Sequence, residues 1–261
     1  MLSCFLLACQ TPLEEAQDAL EKHDLVLAEQ NFRKAIQINP NDQKAIAGLG
    51  WTYHLALEKM MAVQSFERCL QLNKENIECI RGRASVALAQ QESQLAESWL
   101  QEARKLAPDD PEVQLSTALL YLAQGETEMA LEKLEAIVRR FPERSEFRLT
   151  YAESLLRNKR FEEALEQTEI LLSDGEIFPR HQAMSWILRV RILLEGSAGG
   201  LQTDCSQKDV VWSWVLEAER SLEKVKEVGI AIPNLAVMQR QIGRRKNDIL
   251  AKCSNSLEKM D

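Results

Sequence analysis

A small residue, a large apolar residue four places on, and a second small or apolar residue three places beyond it recur along much of the chain. The series reads Ala28, Phe32, Ala35; Ala62, Phe66, Cys69; Ala96, Leu100, Ala103; Ala130, Leu134, Ile137; and Ala164, Thr168, Leu171. A four-then-three spacing returns to one face of a helix, so each set predicts an amphipathic helix with its apolar stripe turned inward. The leading alanines stand at 28, 62, 96, 130 and 164, and every step between them is 34 residues. A second helical pattern precedes each set. In the second unit it reads Ile46, Leu49, Gly50 and Tyr53, and the Gly50 position is filled elsewhere by Ala16, Ala84, Ala118 and Ala152. Five helical hairpins in register follow from this, and no segment alternates with period two for long enough to predict a strand.

Small residues let two antiparallel helices approach closely, which is the expected role of Gly50, Ala62 and their equivalents. Tyr53 and Phe66 are then expected to fill the space between neighbouring units. Pro40, Pro108 and Pro142 end second helices, because proline lacks the donor and restricts the residue before it. Asn39-Pro40-Asn41-Asp42 and Ala107-Pro108-Asp109-Asp110-Pro111 supply turn and N-cap chemistry. After the fifth unit the regularity breaks. A helix is expected from about residue 180 to 195, an inserted loop over 196–209, and a helix from about 210 to 228 that carries Ala218, Leu222 and Val225 at the same spacing. Pro233-Asn234 predicts the start of a last helix with an apolar stripe at Leu235, Met238, Ile242, Ile249 and Cys253. Such a helix covers the open end of a stack.

The 34-residue period, with Leu49-Gly50-x2-Tyr53 followed by Ala62, Phe66 and Cys69, resembles the tetratricopeptide-repeat (TPR) family. Ile46 stands where the family usually has Trp, and Lys74 where it usually has Pro. The resemblance spans residues 11–176. It implies an all-α, right-handed α-solenoid of helix-turn-helix repeats, with 177–232 as a degenerate sixth repeat and 233–261 as a capping helix and tail. It also implies a concave groove lined by first helices, which binds another protein through an apolar or amphipathic segment. Carried over position by position, the groove residues are Leu13, Gln17 and Leu20; Ala47, Trp51, His54 and Leu55; Arg81, Ser85 and Leu88; Leu115, Leu119 and Leu122; and Leu149, Glu153, Leu156 and Arg157. Trp51 is the expected anchor. The leucines serve equally well as packing between first helices, and the chain's own tail could fill the groove. The Lys and Asn clamp of chaperone-binding relatives is missing, since its early positions hold Leu13, Gln17 and Ala47.

Charge and chemistry narrow the function further. The chain has 32 Lys and Arg against 40 Asp and Glu, a net charge of −8, which opposes nucleic-acid binding. The basic cluster Arg240, Arg244, Arg245 and Lys246 reads as a solvated helix face. Three histidines, His23, His54 and His181, fall in different units, and no phosphate loop or nucleophile elbow is present. The expectation is a scaffold that is not an enzyme and takes no cofactor, no metal and no small-molecule substrate. Trp212 and Trp214 flank Ser213, so one is expected in the core and the other exposed beside the insertion. Of six cysteines, Cys69 occupies a core position and reads as a small buried hydrophobe. Cys205 and Cys253 are candidates for a disulfide in an exported protein.

The first ten residues form an apolar stub ending in Leu6-Leu7-Ala8-Cys9, which resembles a lipoprotein signal with Cys9 as the acylated residue. The stub lacks the basic residues and the length of a working signal. This predicts a bacterial envelope lipoprotein, held to a membrane only through its lipid, and similar in layout to type IV pilus pilotins or to TPR lipoproteins that recruit cell-wall enzymes. The alternative is a soluble cytosolic adaptor, or a regulatory subunit of an enzyme complex.

Overall fold

The computed structural model describes residues 11–173, 177–200, 208–229 and 234–253, and these residues form thirteen α-helices and no strand. The chain divides into two compact units, residues 1–133 and 134–261.

In unit 1 the helices pair as hairpins: α1 (Pro12–Glu21) with α2 (Leu25–Ile38), α3 (Gln43–Leu55) with α4 (Lys59–Leu72), and α5 (Ile77–Ala89) with α6 (Ser93–Leu106). Helix α7 (Pro111–Gln124) follows, and α8 (Thr127–Arg140) begins at the unit's end. Successive first helices touch one another, α1 against α3, α3 against α5 and α5 against α7, so they form a continuous face. The repeat alanines Ala28, Ala62, Ala96 and Ala130 are fully buried, as are Phe66 and Leu100. Phe66 explains two glycines. A Cβ on Gly50 would come within 2.6 Å of the Phe66 ring, and one on Gly82 within 2.3 Å, so the ring is held between α3 and α5 only because both positions lack a side chain.

The hairpin turns carry a feature that the apolar pattern does not reveal. His23, Leu57, Gln91, Gly125 and Lys159 all have positive φ, between 59° and 81°, and they too stand 34 residues apart. Each ends a first helix in a Schellman motif. At the second turn, Leu57 N–H donates to the His54 carbonyl and Glu58 N–H to the Tyr53 carbonyl, and the same pair of bonds recurs at the other four turns. Only the fourth turn uses glycine, so the other four hold an L side chain in the left-handed region. First helices are capped as expected: the Asp42 carboxylate accepts from the N–H groups of Lys44 and Ala45, and that of Asp110 from Glu112 and Val113.

In unit 2, α9 (Ser145–Arg157) packs on α10 (Phe161–Ser173), α11 (Pro179–Gly200) on α12 (Lys208–Glu227), and α13 (Leu235–Cys253) on α12 and α11. The expected loop over 196–209 is corrected at both ends. Helix α11 runs through Gly196 to Gly200 and α12 begins at Lys208, while residues 201–207 lie outside the described residues. The physical reason is Trp214, whose ring would lie 2.0 Å from a Cβ on Gly196. Packing of the indole on α11 outweighs the weak helix propensity of glycine. Trp212 and Trp214 both lie half-buried on the one apolar cluster of α11, α12 and α13, so the expected division into one core and one exposed ring does not hold. The stripe on α13 is seated, with Ile242, Ile249 and Cys253 buried.

A disulfide joins Cys69 near the end of α4 to Cys79 at the start of α5, with Cα atoms 6.3 Å apart. Cys69 is buried as expected, but as half of a bridge and not as a free thiol.

Candidate functional site

The first-helix face of unit 1 is built from the inside outward. Its centre is Trp51 on α3. The indole ring packs edge-on against Phe66 at 5.3 Å and against His54 at 5.7 Å. The Arg81 guanidinium of α5 lies 5.5 Å over the same ring and reaches the Glu112 carboxylate of α7 at 3.2 Å. His54 Nε2 and Ser85 Oγ are 2.9 Å apart, tying α3 to α5 a second time. Trp51, His54, Arg81, Ser85 and Glu112 therefore bracket three consecutive first helices. Burial pushes the His54 imidazole below the ordinary histidine value, which keeps it neutral near pH 7. Desolvation raises the Glu78 carboxyl, with Arg81 and Lys44 pulling the other way.

Around this bracket the face is apolar and accessible. Leu55 is 44% exposed and Leu119 37%. Leu88, Leu115 and Leu122 are half-buried, as are Leu13 and Leu20 on α1, while Gln17 is open to solvent. Ala47 is a correction: it is completely buried, pressed into the core beneath α3, and is out of a partner's reach. The Ser85–His54 bond was invisible to sequence reading because the residues lie 31 apart, one repeat less three. Ser85 sits within α5, where the neighbouring backbone N–H groups are spent on helix bonds.

In unit 2 the corresponding positions behave differently. Leu149 (7% exposed) and Leu156 (1%) are core residues and not lining, which corrects both. Glu153 accepts from Arg157 at 3.2 Å and from Arg191 at 2.6 and 3.1 Å, so this face is closed by ion pairs. His181 Nδ1 lies 2.6 Å from Ser145 Oγ. A cleft of about 560 Å³ opens between α11 and α13, with Leu194, Val237, Met238, Arg191, Arg244 and Arg245 among its walls. Within the basic cluster, Lys246 is committed to Glu219 at 2.6 Å.

Cys9 and Cys205 lie outside the described residues, whereas Cys253 is disulfide-bonded. Sequence reading missed the Cys69–Cys79 bridge, although the repeat register held a signal for it. The equivalent pairs Ala35 with Ala45 and Ala103 with Val113 are all buried, each pair within one cluster. No helix among the described residues is long and apolar enough to cross a membrane, and no group of His, Cys, Asp or Glu among them could hold a metal ion.

Residues 115–173 match the tetratricopeptide repeat family. No curated protein matches the chain. Among solved structures, a thermophilic TPR protein of Thermus thermophilus is similar at 19% identity and a TM-score of 0.61, over 68% of this chain and 96% of that one. A tetratricopeptide repeat protein from Parabacteroides merdae is similar at 14% identity and a TM-score of 0.59, over 88% of this chain and 97% of that one. PilF of Pseudomonas aeruginosa is similar at 20% identity and a TM-score of 0.52, over 80% and 89%. Residues 115–173 thus match the tetratricopeptide-repeat class, and the likeness of fold to solved proteins of that class extends over most of the chain. Proteins of this class bind other proteins.

Proposed function

We propose that the chain is a non-catalytic scaffold of the bacterial cell envelope that holds another protein on the first-helix face of unit 1. The observation that carries this reading is the row of accessible leucines, Leu55, Leu88, Leu115, Leu119 and Leu122, set around a rigid aromatic and charged bracket. Lone exposed leucines are ordinary, but a contiguous apolar face on a fold of this kind is a binding surface. The Trp51 ring is pre-organised by Phe66, His54 and Arg81, so little side-chain entropy is lost when a partner covers it.

Two features support export. The stub ending in Cys9 resembles a lipoprotein signal, and the Cys69–Cys79 disulfide is chemistry of an oxidising compartment. A Cys205–Cys253 bridge fits the same setting. The layout is similar to that of pilus-assembly lipoproteins, so the proposed role is to assist assembly of a secretion, pilus or cell-wall complex.

The test is photo-crosslinking from a benzophenone placed at Leu119, beside one placed at the exposed Lys105, in cells expressing the full chain. The reading requires a discrete adduct from Leu119 that is lost in Trp51→Ala and is absent from Lys105. The same adducts from both positions would refute it. Detergent phase partitioning of wild type beside Cys9→Ala tests the anchor separately: both proteins remaining in the aqueous phase removes the lipid.

A further inference from the structure

We propose that a second face of unit 1, the edge formed where each hairpin turns into its second helix, docks a basic amphipathic helix of another protein. This edge is distinct from the first-helix face and stands on different residues. Leu27, Met61, Leu95 and Met129 occupy the same place in four consecutive repeats, 34 residues apart, and are 43%, 37%, 39% and 51% exposed. Val26 and Met60, beside the first two, are 68% and 77% exposed. One exposed hydrophobe needs no explanation. A row held in register through four repeats is a patch, and in the fifth repeat the same position is Glu163.

The turns fix this row. Each left-handed residue, at 23, 57, 91 and 125, aims the chain so that the positions three and four later stand at the surface. Between turn and row lies a line of carboxylates, again one per repeat: Asp24, Glu58, Glu92 and Glu126, all exposed. The Asp24 carboxylate caps the Leu27 N–H, whereas those of Glu58 and Glu92 make no cap bond at all. None of the four has an ion-pair partner among the described residues. The edge thus presents apolar side chains flanked by four carboxylates that make no ion pair among the described residues, on a chain whose net charge is −8.

That combination selects the occupant by charge complementarity. Packed helices lie on the order of 10 Å apart, and a helix rises 1.5 Å per residue. A helix lying across the edge therefore meets one repeat about every seven residues. It needs an apolar residue at each meeting point and Lys or Arg beside it. Methionines at two of the four places suit such a contact, since their flexible side chains adapt to an irregular ridge.

The test uses the full oxidised chain and a fluorescein-labelled three-heptad peptide of Leu and Lys with one leucine face, read by fluorescence anisotropy. A scrambled peptide of the same composition is the control. The amphipathic peptide is expected to bind at least about tenfold more tightly than the scrambled one. Met61→Glu with Leu95→Glu is expected to weaken it by a similar factor. Glu58→Gln with Glu92→Gln removes charge without touching a cap bond, so it settles the matter if the first pair fails to fold. It is expected to weaken binding and flatten its salt dependence. Trp51→Ala is expected to leave binding unchanged. Equal binding of both peptides, indifference to both edge variants, or loss in Trp51→Ala overturns the proposal. So does self-association in sedimentation that disappears in Met61→Glu with Leu95→Glu, which assigns the edge to a second copy of the chain.

Discussion

Replacing both Cys69 and Cys79 by alanine removes the one covalent tie between consecutive repeats in unit 1 that the described residues show. The bridge spans a sequence separation of 10. On the chain-entropy account, closing a loop of that length withdraws about 9 cal/mol/K from the unfolded chain, or about 2.7 kcal/mol at 25 °C. That is roughly a hundredfold in the opening equilibrium of the region. Both residues are fully buried, so alanine also forfeits packing, on the order of 0.8 kcal/mol per sulfur if each is counted as a methylene. The expected loss is therefore between about 2.7 and 4 kcal/mol. Stacked repeats open regionally and not all at once, so the assay is native-state hydrogen exchange of the amides of α3 to α6, compared between oxidised wild type and the double variant. Exchange in α9 to α12 serves as the internal control. Reductant added to wild type should reproduce most of the loss, and added to the variant should leave α3 to α6 unchanged. A loss below about 1 kcal/mol refutes the reasoning. So does finding Cys69 and Cys79 as free thiols, by mass spectrometry, in protein isolated without reductant.

Two further outcomes follow from local geometry. Gly125 has φ of 81° and open space where a Cβ would stand, so Gly125→Ala carries a backbone cost alone, about 1 kcal/mol, read as a lowered midpoint in urea unfolding; an unchanged midpoint argues against the left-handed turn. His54 and His181 are both held below the ordinary histidine value, chiefly by burial. The unfolded chain then binds more protons than the folded one just below neutrality, so stability is full above the unfolded histidine value and falls as pH drops from 7 towards 5. His54→Gln should reduce that slope in urea titrations at stepped pH, and an identical slope would show that His54 does not titrate with folding.

The repeat positions explain why the fold was legible. Ala28, Ala62, Ala96, Ala130 and Ala164 can recur at one interval only if the same hairpin is built each time, and their burial follows from the period of the helix. The caps at Asp42 and Asp110 are local chemistry and were legible for the same reason. The left-handed residues were not, because His23, Leu57, Gln91 and Lys159 have no composition in common. The geometry of the turn, and not residue preference, places them there. Sequence resemblance assigned seventeen positions to one groove, yet Ala47, Leu149 and Leu156 are core, and Glu153 is closed by two arginines. Whether a first-helix residue faces a partner or its own neighbour depends on how far adjacent helices rotate and what their partners offer, which spacing along one helix does not record.

The sequence by itself determined the helical class, the 34-residue register, the small residues that let helices approach, and the negative balance that disfavours nucleic acid. These depend on periods and compositions carried within single elements. Only the tertiary structure decided that Cys69 meets Cys79, that Trp51, Arg81 and Glu112 lock three helices together, and that Trp214 packs on Gly196 of α11. Each of these is a meeting of side chains from different helices, and the distance between such side chains is set by packing, which no pattern along one strand of sequence contains.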